Sequence, residues 1–260
     1  MNVASPESHT RLRRRGDQPK HPCSGSLPSP TVTQPPVLLV HGWGGSYRLT
    51  WQQTPLVPLL EDAGRTVIGV DLLGHGTADK PHDPEAYVDL TSAIEAVLPA
   101  GPVDAVGFSL GAITLLELAR RRPEAFGRLV LAGIGESVFR HDDEGTRRIV
   151  AALEGTGDPD DVTSQLFRQY ADQPGNDRVA LAAVMKRPRS APIGPDDLAG
   201  VTCETLVVIG DQDFAGPGEP LADALPNCRL VTLRKVDHFA TPESFAFIDA
   251  THEFLGALPE

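Results

Sequence analysis

Cysteine is scarce: the 260 residues hold three, Cys23, Cys203 and Cys228. None stands at metal-ligand spacing, so a disulfide scaffold and a cysteine-held zinc module are both excluded. An odd number of thiols in a chain this long points to a reducing compartment and hence to a cytoplasmic protein, with a Cys203–Cys228 bridge as the one alternative. Basic residues are in the minority, 23 Lys and Arg against 35 Asp and Glu, giving a formal net charge of -12. That balance repels phosphate backbones, and no nucleic-acid motif offsets it, so nucleic acid is set aside as a partner. Long hydrophobic runs are missing too. No stretch approaches the roughly twenty apolar residues needed to cross a bilayer, so no membrane span is expected and the protein reads as soluble.

What is present is punctuation and alternation. Residues 1–35 are rich in proline, serine and arginine, with Arg11 and Arg13 to Arg15 as a basic cluster. No secretory apolar segment follows the arginines, so a disordered tail is expected. From Val37 onward, short apolar runs alternate with helical patterns. Strands are expected at Val37 to His41, Thr66 to Val70, Val103 to Phe108, Leu129 to Ala132, Leu206 to Ile209 and Leu230 to Leu233. Helices are expected near 51–63, 85–98, 110–121, 219–225 and 242–257. This alternation implies right-handed crossovers, hence an α/β class with a mostly parallel central sheet and helices on both faces.

Residues 136–200 break the pattern. They contain three amphipathic helical stretches, near 142–154, 159–171 and 176–186, and no convincing strand. An inserted helical cap is expected there, over the carboxyl ends of the strands, between core segments 36–135 and 201–260.

The chemistry centres on GFSLG, where the strand-like VDAVGF meets the helix-like LGAITLLELARR. A serine at such a junction, flanked by Gly107 and Gly111, fits the strained strand-to-helix turn that exposes a nucleophile, so Ser109 is the candidate. Its hydroxyl needs a base, itself held by an acid. His238, in the loop after the last strand, is the candidate base. The acid is expected at the end of another strand, and GDQDF offers Asp213 by the reach of its loop. Glu136 is the main rival and Asp211 the third. Asp237 reads as incidental.

The order serine, acid, histidine, with HGWGG, DLLGHG, GFSLG, GDQD and DHF in succession, resembles the α/β-hydrolase fold superfamily over about Val37 to Leu258. The resemblance implies an oxyanion hole made by the backbone N–H groups of Trp43 and Leu110, and structural roles for Asp71 and His75. It also implies an initial strand pair, which here falls in the proline-rich tail. The expected reaction is acyl transfer to water on a small or medium ester, thioester, lactone or cleavable diketone, with no cofactor and no metal. Because the base must be neutral, activity should rise through roughly pH 6 to 8. A lyase-type member, or a ligand-binding, receptor-like member with little turnover, remains open, as does a monomer or a homodimer. The cap's apolar positions, Ile149, Val150, Leu153, Leu166, Phe167, Tyr170, Val184 and Met185, are expected mostly to pack on one another and on the core. Its cations, Arg147, Arg148, Arg168, Lys186, Arg187 and Arg189, are expected on a solvated face.

Overall fold

A computed structural model describes residue 1 and residues 34–257. The expected tail, residues 1–35, therefore lies almost wholly outside the described residues. From Val37 the chain builds β1 (Val37–Val40), α1 (Leu56–Asp62), β2 (Val67–Val70), α2 (Ser92–Glu95), β3 (Val103–Phe108), α3 (Leu110–Arg121) and β4 (Phe126–Ala132). After β4 come α4 (Asp143–Glu154), α5 (Val162–Ala171) and α6 (Arg178–Lys186). Then follow β5 (Glu204–Gly210), α7 (Glu219–Ala224), β6 (Cys228–Leu233) and α8 (Phe245–Phe254). The strands form one six-stranded sheet in the order β2-β1-β3-β4-β5-β6, parallel at every pairing.

Why the strands read as continuous apolar runs is visible in the core. Alternate residues of a strand face opposite sides, and here both sides are covered. Leu38, Val40, Ala105, Leu129 and Leu131 pack with Leu115 and Leu118 of α3. Val37, Leu39, Val106, Val130 and Val208 pack with Leu56 and Leu60 of α1 and Phe247 of α8. Burying each such side chain is worth about 1.5–3 kcal/mol. A pair the hydropathy pattern does not signal sits beneath this core. Arg65 and Asp104, 4% and 3% exposed, meet at 2.5 Å, and the guanidinium also donates to the carbonyls of Pro35 and Leu255.

Several expected helices are shorter, each for a local reason. The stretch near 51–63 divides into a π-helical turn, Tyr47–Gln52, and α1, because Pro55 has no N–H to offer and its ring obstructs the preceding turn. The stretch near 85–98 becomes a 3-10 turn at Pro84–Tyr87 and the single turn of α2. There Asp83 accepts from the Glu85 N–H, and Asp89 from both the N–H and hydroxyl of Thr91, so side chains compete for the backbone groups a continuous helix would use. Asp161 caps α5, delaying its start to Val162. Cys203 and Cys228 are both free thiols, so the alternative of a bridge is not realised. The initial strand pair that the resemblance implies falls in the tail and lies outside the described residues.

Neighbouring β1 and β3 send their connections to opposite sides, since β2 lies beyond β1 and β4 beyond β3. A crevice forms at such a reversal, outside the carboxyl ends of the strands. The loop His41–Gly45 and the turn at Ser109 both emerge there. The helices between β4 and β5 reach the same rim: the indole N–H of Trp43 donates to Leu181 O at 3.1 Å, and Asn176 Nδ2 to Gly44 O at 2.7 Å. Among the described residues no helix is long and apolar enough to cross a membrane.

Candidate active site

Ser109 stands between β3 and α3 with φ 51° and ψ -114°, and only one other described non-glycine residue, Lys235, has positive φ. A backbone held there costs about 1–3 kcal/mol and persists only where its surroundings fix it. The Ser109 N–H donates to Ala132 O at 2.8 Å, and its carbonyl accepts from the Ile113 N–H at 3.0 Å. The flanking glycines allow the close approach. A Cβ at Gly111 would lie 2.5 Å from the carbonyl oxygens of both His41 and Val40, and one at Gly107 would lie 2.7 Å from the backbone of Ala112. Backbone atoms cannot swing aside as a long side chain can. Gly111→Ala is therefore expected to lose about 1–3 kcal/mol in urea unfolding, and an unchanged midpoint would show that the turn tolerates the methyl group.

The three residues named from the sequence as nucleophile, base and acid lie together. His238 Nε2 is 2.9 Å from Ser109 Oγ, and its Nδ1 is 2.9 Å from both carboxylate oxygens of Asp213. A carboxylate only accepts, so the Nδ1–H donates to Asp213 and Nε2 is left to accept from the serine hydroxyl. The Asp213 and His238 side chains are 0% and 6% exposed. The loop that delivers Asp213 is set by its own carboxylate, which also accepts from the Ala215 N–H at 2.8 Å. The rival acids are engaged elsewhere. Glu136 pairs with Arg140 at 3.2 Å, and Asp211 accepts from the Lys235 N–H at 2.6 Å. Asp237 caps the following turn through the Ala240 N–H.

Trp43 and Leu110 flank the serine, one in the loop after β1 and one opening α3. Among the described residues no backbone carbonyl accepts from the N–H of either. His41 holds the first of these loops: its Nδ1–H donates to Gly42 O at 2.7 Å, while Nε2 accepts from the Leu72 N–H at 3.1 Å. That pattern requires a neutral ring, and burial pushes its pKa down. Asp71 ties the loop after β2 by accepting from the Tyr47 N–H and from the N–H and hydroxyl of Thr77.

His75, 5.0 Å from His41 between ring centroids, is fully buried. Burial first, and the neighbouring His41 second, push its pKa down to about 3. The folded protein thus keeps His75 neutral at pH values where the unfolded chain, titrating near 6.5, takes up a proton. Stability should fall as the pH drops from about 6.5 towards 3, with His75 contributing up to about 1.4 kcal/mol per pH unit. Urea unfolding of His75→Gln should show a shallower acid slope than the wild type; equal slopes would mean His75 does not carry this term.

An aromatic wall that hydropathy patterning alone does not predict surrounds the imidazole. The ring of Phe214 lies 4.2 Å from that of His238 between centroids and is 54% exposed, while Phe108 and Phe239 approach at 5.0 and 5.5 Å. Phe167 of α5 bridges Phe214, Phe239 and Trp43 at 5.9, 5.7 and 5.3 Å. Of the apolar positions in the helical segment between β4 and β5, Phe167, Leu153 and Val184 are buried as expected, whereas Leu166 is 42% exposed. A usable signal was the phenylalanine directly after both the candidate acid and the candidate base, in GDQDF and DHF. Among the described residues no group of three or more His, Cys, Asp or Glu could hold a metal ion.

The sequence pattern defining the alpha/beta hydrolase family matches residues 37–254. The pimeloyl-[acyl-carrier protein] methyl ester esterase of Methylococcus capsulatus is 34% identical over 222 residues, 74% of this chain and 81% of that protein. The protein of the same name from Aromatoleum aromaticum is 33% identical over 156 residues, 49% of this chain, and the match spans only 58% of that relative's length. Among solved structures, the enol-lactonase from Burkholderia xenovorans superposes with a TM-score of 0.63 at 22% identity, covering 86% of this chain and 92% of that one, a likeness of fold. The chain belongs to the alpha/beta hydrolase family.

Proposed function

We propose that the protein is a serine hydrolase that cleaves an ester or a related activated carbonyl compound through an acyl-enzyme. The observation that carries this reading is the unbroken line from Ser109 Oγ to His238 to Asp213, two hydrogen bonds of 2.9 Å each, ending on a buried carboxylate. His238 Nε2 takes the proton as Ser109 attacks the carbonyl carbon. Asp213 holds the ring in the Nδ1–H tautomer and stabilises the imidazolium that forms. The N–H groups of Trp43 and Leu110 receive the negative charge on the carbonyl oxygen, each such donor being worth about 2.7–4 kcal/mol. Collapse of the tetrahedral intermediate returns the proton to the leaving group, and a water activated by the same histidine then releases the acid.

The helical segment between β4 and β5 acts as a cap in this reading. The aromatic wall of Phe167, Phe214 and Phe239 supports a substrate with an apolar part laid against it. Esterase names among the relatives support ester over other carbonyl chemistry. The test is labelling with a fluorophosphonate followed by peptide mapping. The wild type should carry the label on the peptide containing residue 109, and Ser109→Ala should carry none. Labelling without steady-state turnover across a panel of aryl, alkyl and lactone substrates would favour a binding role instead.

A further inference from the structure

A groove of about 450 Å³ runs between α4 and the end of α6, and no residue of the Ser109 cluster lines it. Its rim holds Arg147, Lys186, Arg187 and Arg189 against two carboxylates, Asp143 and Glu154. In a chain of formal net charge -12 this is a local excess of positive charge. The ion pairs around it leave one cation over. Arg189 pairs with Asp143 at 2.8 Å, Lys186 with Glu154, and Arg147 with Glu144 on its own helix. Arg187 takes part in no ion pair among the described residues, and its Nη1 donates to the Val184 carbonyl at 2.7 Å. This guanidinium is half-buried, and its pKa is pushed down to about 10, first by burial and then by Arg189, with Glu117 opposing. A desolvated cation beside a second cation is stabilised by an anion between them.

We propose that this groove is a second ligand site that binds a compact dianion, a phosphate or a short dicarboxylate, with Arg187 as its anchor. Two forked guanidinium groups and an ammonium suit planar or tetrahedral oxygen anions. A dianion can engage the Arg187 and Arg189 guanidinium groups together and relieve their mutual repulsion, whereas a single carboxylate neutralises only one of them. The surrounding pairs do not block it. Arg147, Lys186 and Arg189 are bound to exposed carboxylates, and exposed pairs are worth only about 0–1 kcal/mol, so an entering dianion can displace them. Val150, Ala151 and Met185 complete the lining and leave apolar surface for the body of an organic ligand.

Calorimetric titration of the full chain with inorganic phosphate and, separately, with succinate tests the site, using chloride and acetate at matched ionic strength as controls. One of the two dianions should bind saturably at one site per chain, and Arg187→Met should weaken that binding at least about tenfold. Binding of phosphate alone or of succinate alone would identify which chemistry the groove takes. The proposal is overturned if neither dianion binds saturably, if the monoanions bind equally well, or if Arg187→Met binds as the wild type does. Should Arg187→Met fail to fold, Arg189→Met, at an exposed rather than a half-buried position, should lose at least about threefold, and wild-type affinity in that variant would equally overturn it. Neither variant touches Ser109, His238 or Asp213, so fluorophosphonate labelling should be unchanged in both.

Discussion

Ser109→Ala should lower steady-state turnover by about 10,000-fold or more, because the proposed attacking atom is gone while the proposed oxyanion donors and binding surface remain. His238→Ala should cost about as much, and the double variant should be hardly worse than either single one. A hydroxyl and the imidazole 2.9 Å from it act as one unit: without the base the oxygen stays protonated, and without the oxygen the base has nothing to activate. The measurement is kcat/KM for each variant on an activated aryl ester, with circular dichroism to show that each is folded. Multiplicative losses in the double variant would mean that the two side chains act in separate steps and that the proposed mechanism is wrong.

Asp213→Asn should come next in size, at about 10,000-fold in kcat. An amide keeps the shape of the carboxylate but removes the charge that favours the imidazolium, and it offers N–H where His238 Nδ1–H also needs an acceptor. The ring would take the other tautomer, with Nδ1 accepting from the amide and the proton on Nε2, which then cannot accept from the Ser109 hydroxyl. Glu136→Gln should change kcat by less than about threefold, since that carboxylate spends its charge on Arg140 at the surface. A severe loss in Glu136→Gln paired with a mild one in Asp213→Asn would transfer the role.

How much of this was legible beforehand follows from the physics of each signal. The inner strands were visible because a parallel sheet covered on both faces favours apolar residues along the whole strand, as in β1 and, apart from Asp104 and Gly107, in β3, both buried throughout. The helices of 85–98 and 51–63 were overestimated because periodicity does not register the side-chain acceptors of Asp83 and Asp89 or the obstruction by Pro55. The choice of Asp213 over Glu136 and Asp211 rested on loop reach alone in the sequence. In the structure it rests on two oxygen atoms at 2.9 Å from one ring nitrogen.

The sequence by itself determined the α/β class, the strand-to-helix turn at Ser109 and the order of the chemical groups, because these depend on residue type and near neighbours. Only the tertiary structure decided which carboxylate faces His238, which rings surround it, and that Arg65 finds Asp104 while Arg187, among the described residues, finds a carbonyl and no ion pair. Those outcomes depend on residues far apart in the chain meeting in space. Hydropathy and spacing carry no record of that, since one sequence pattern is compatible with many directions in which a loop can point its side chains.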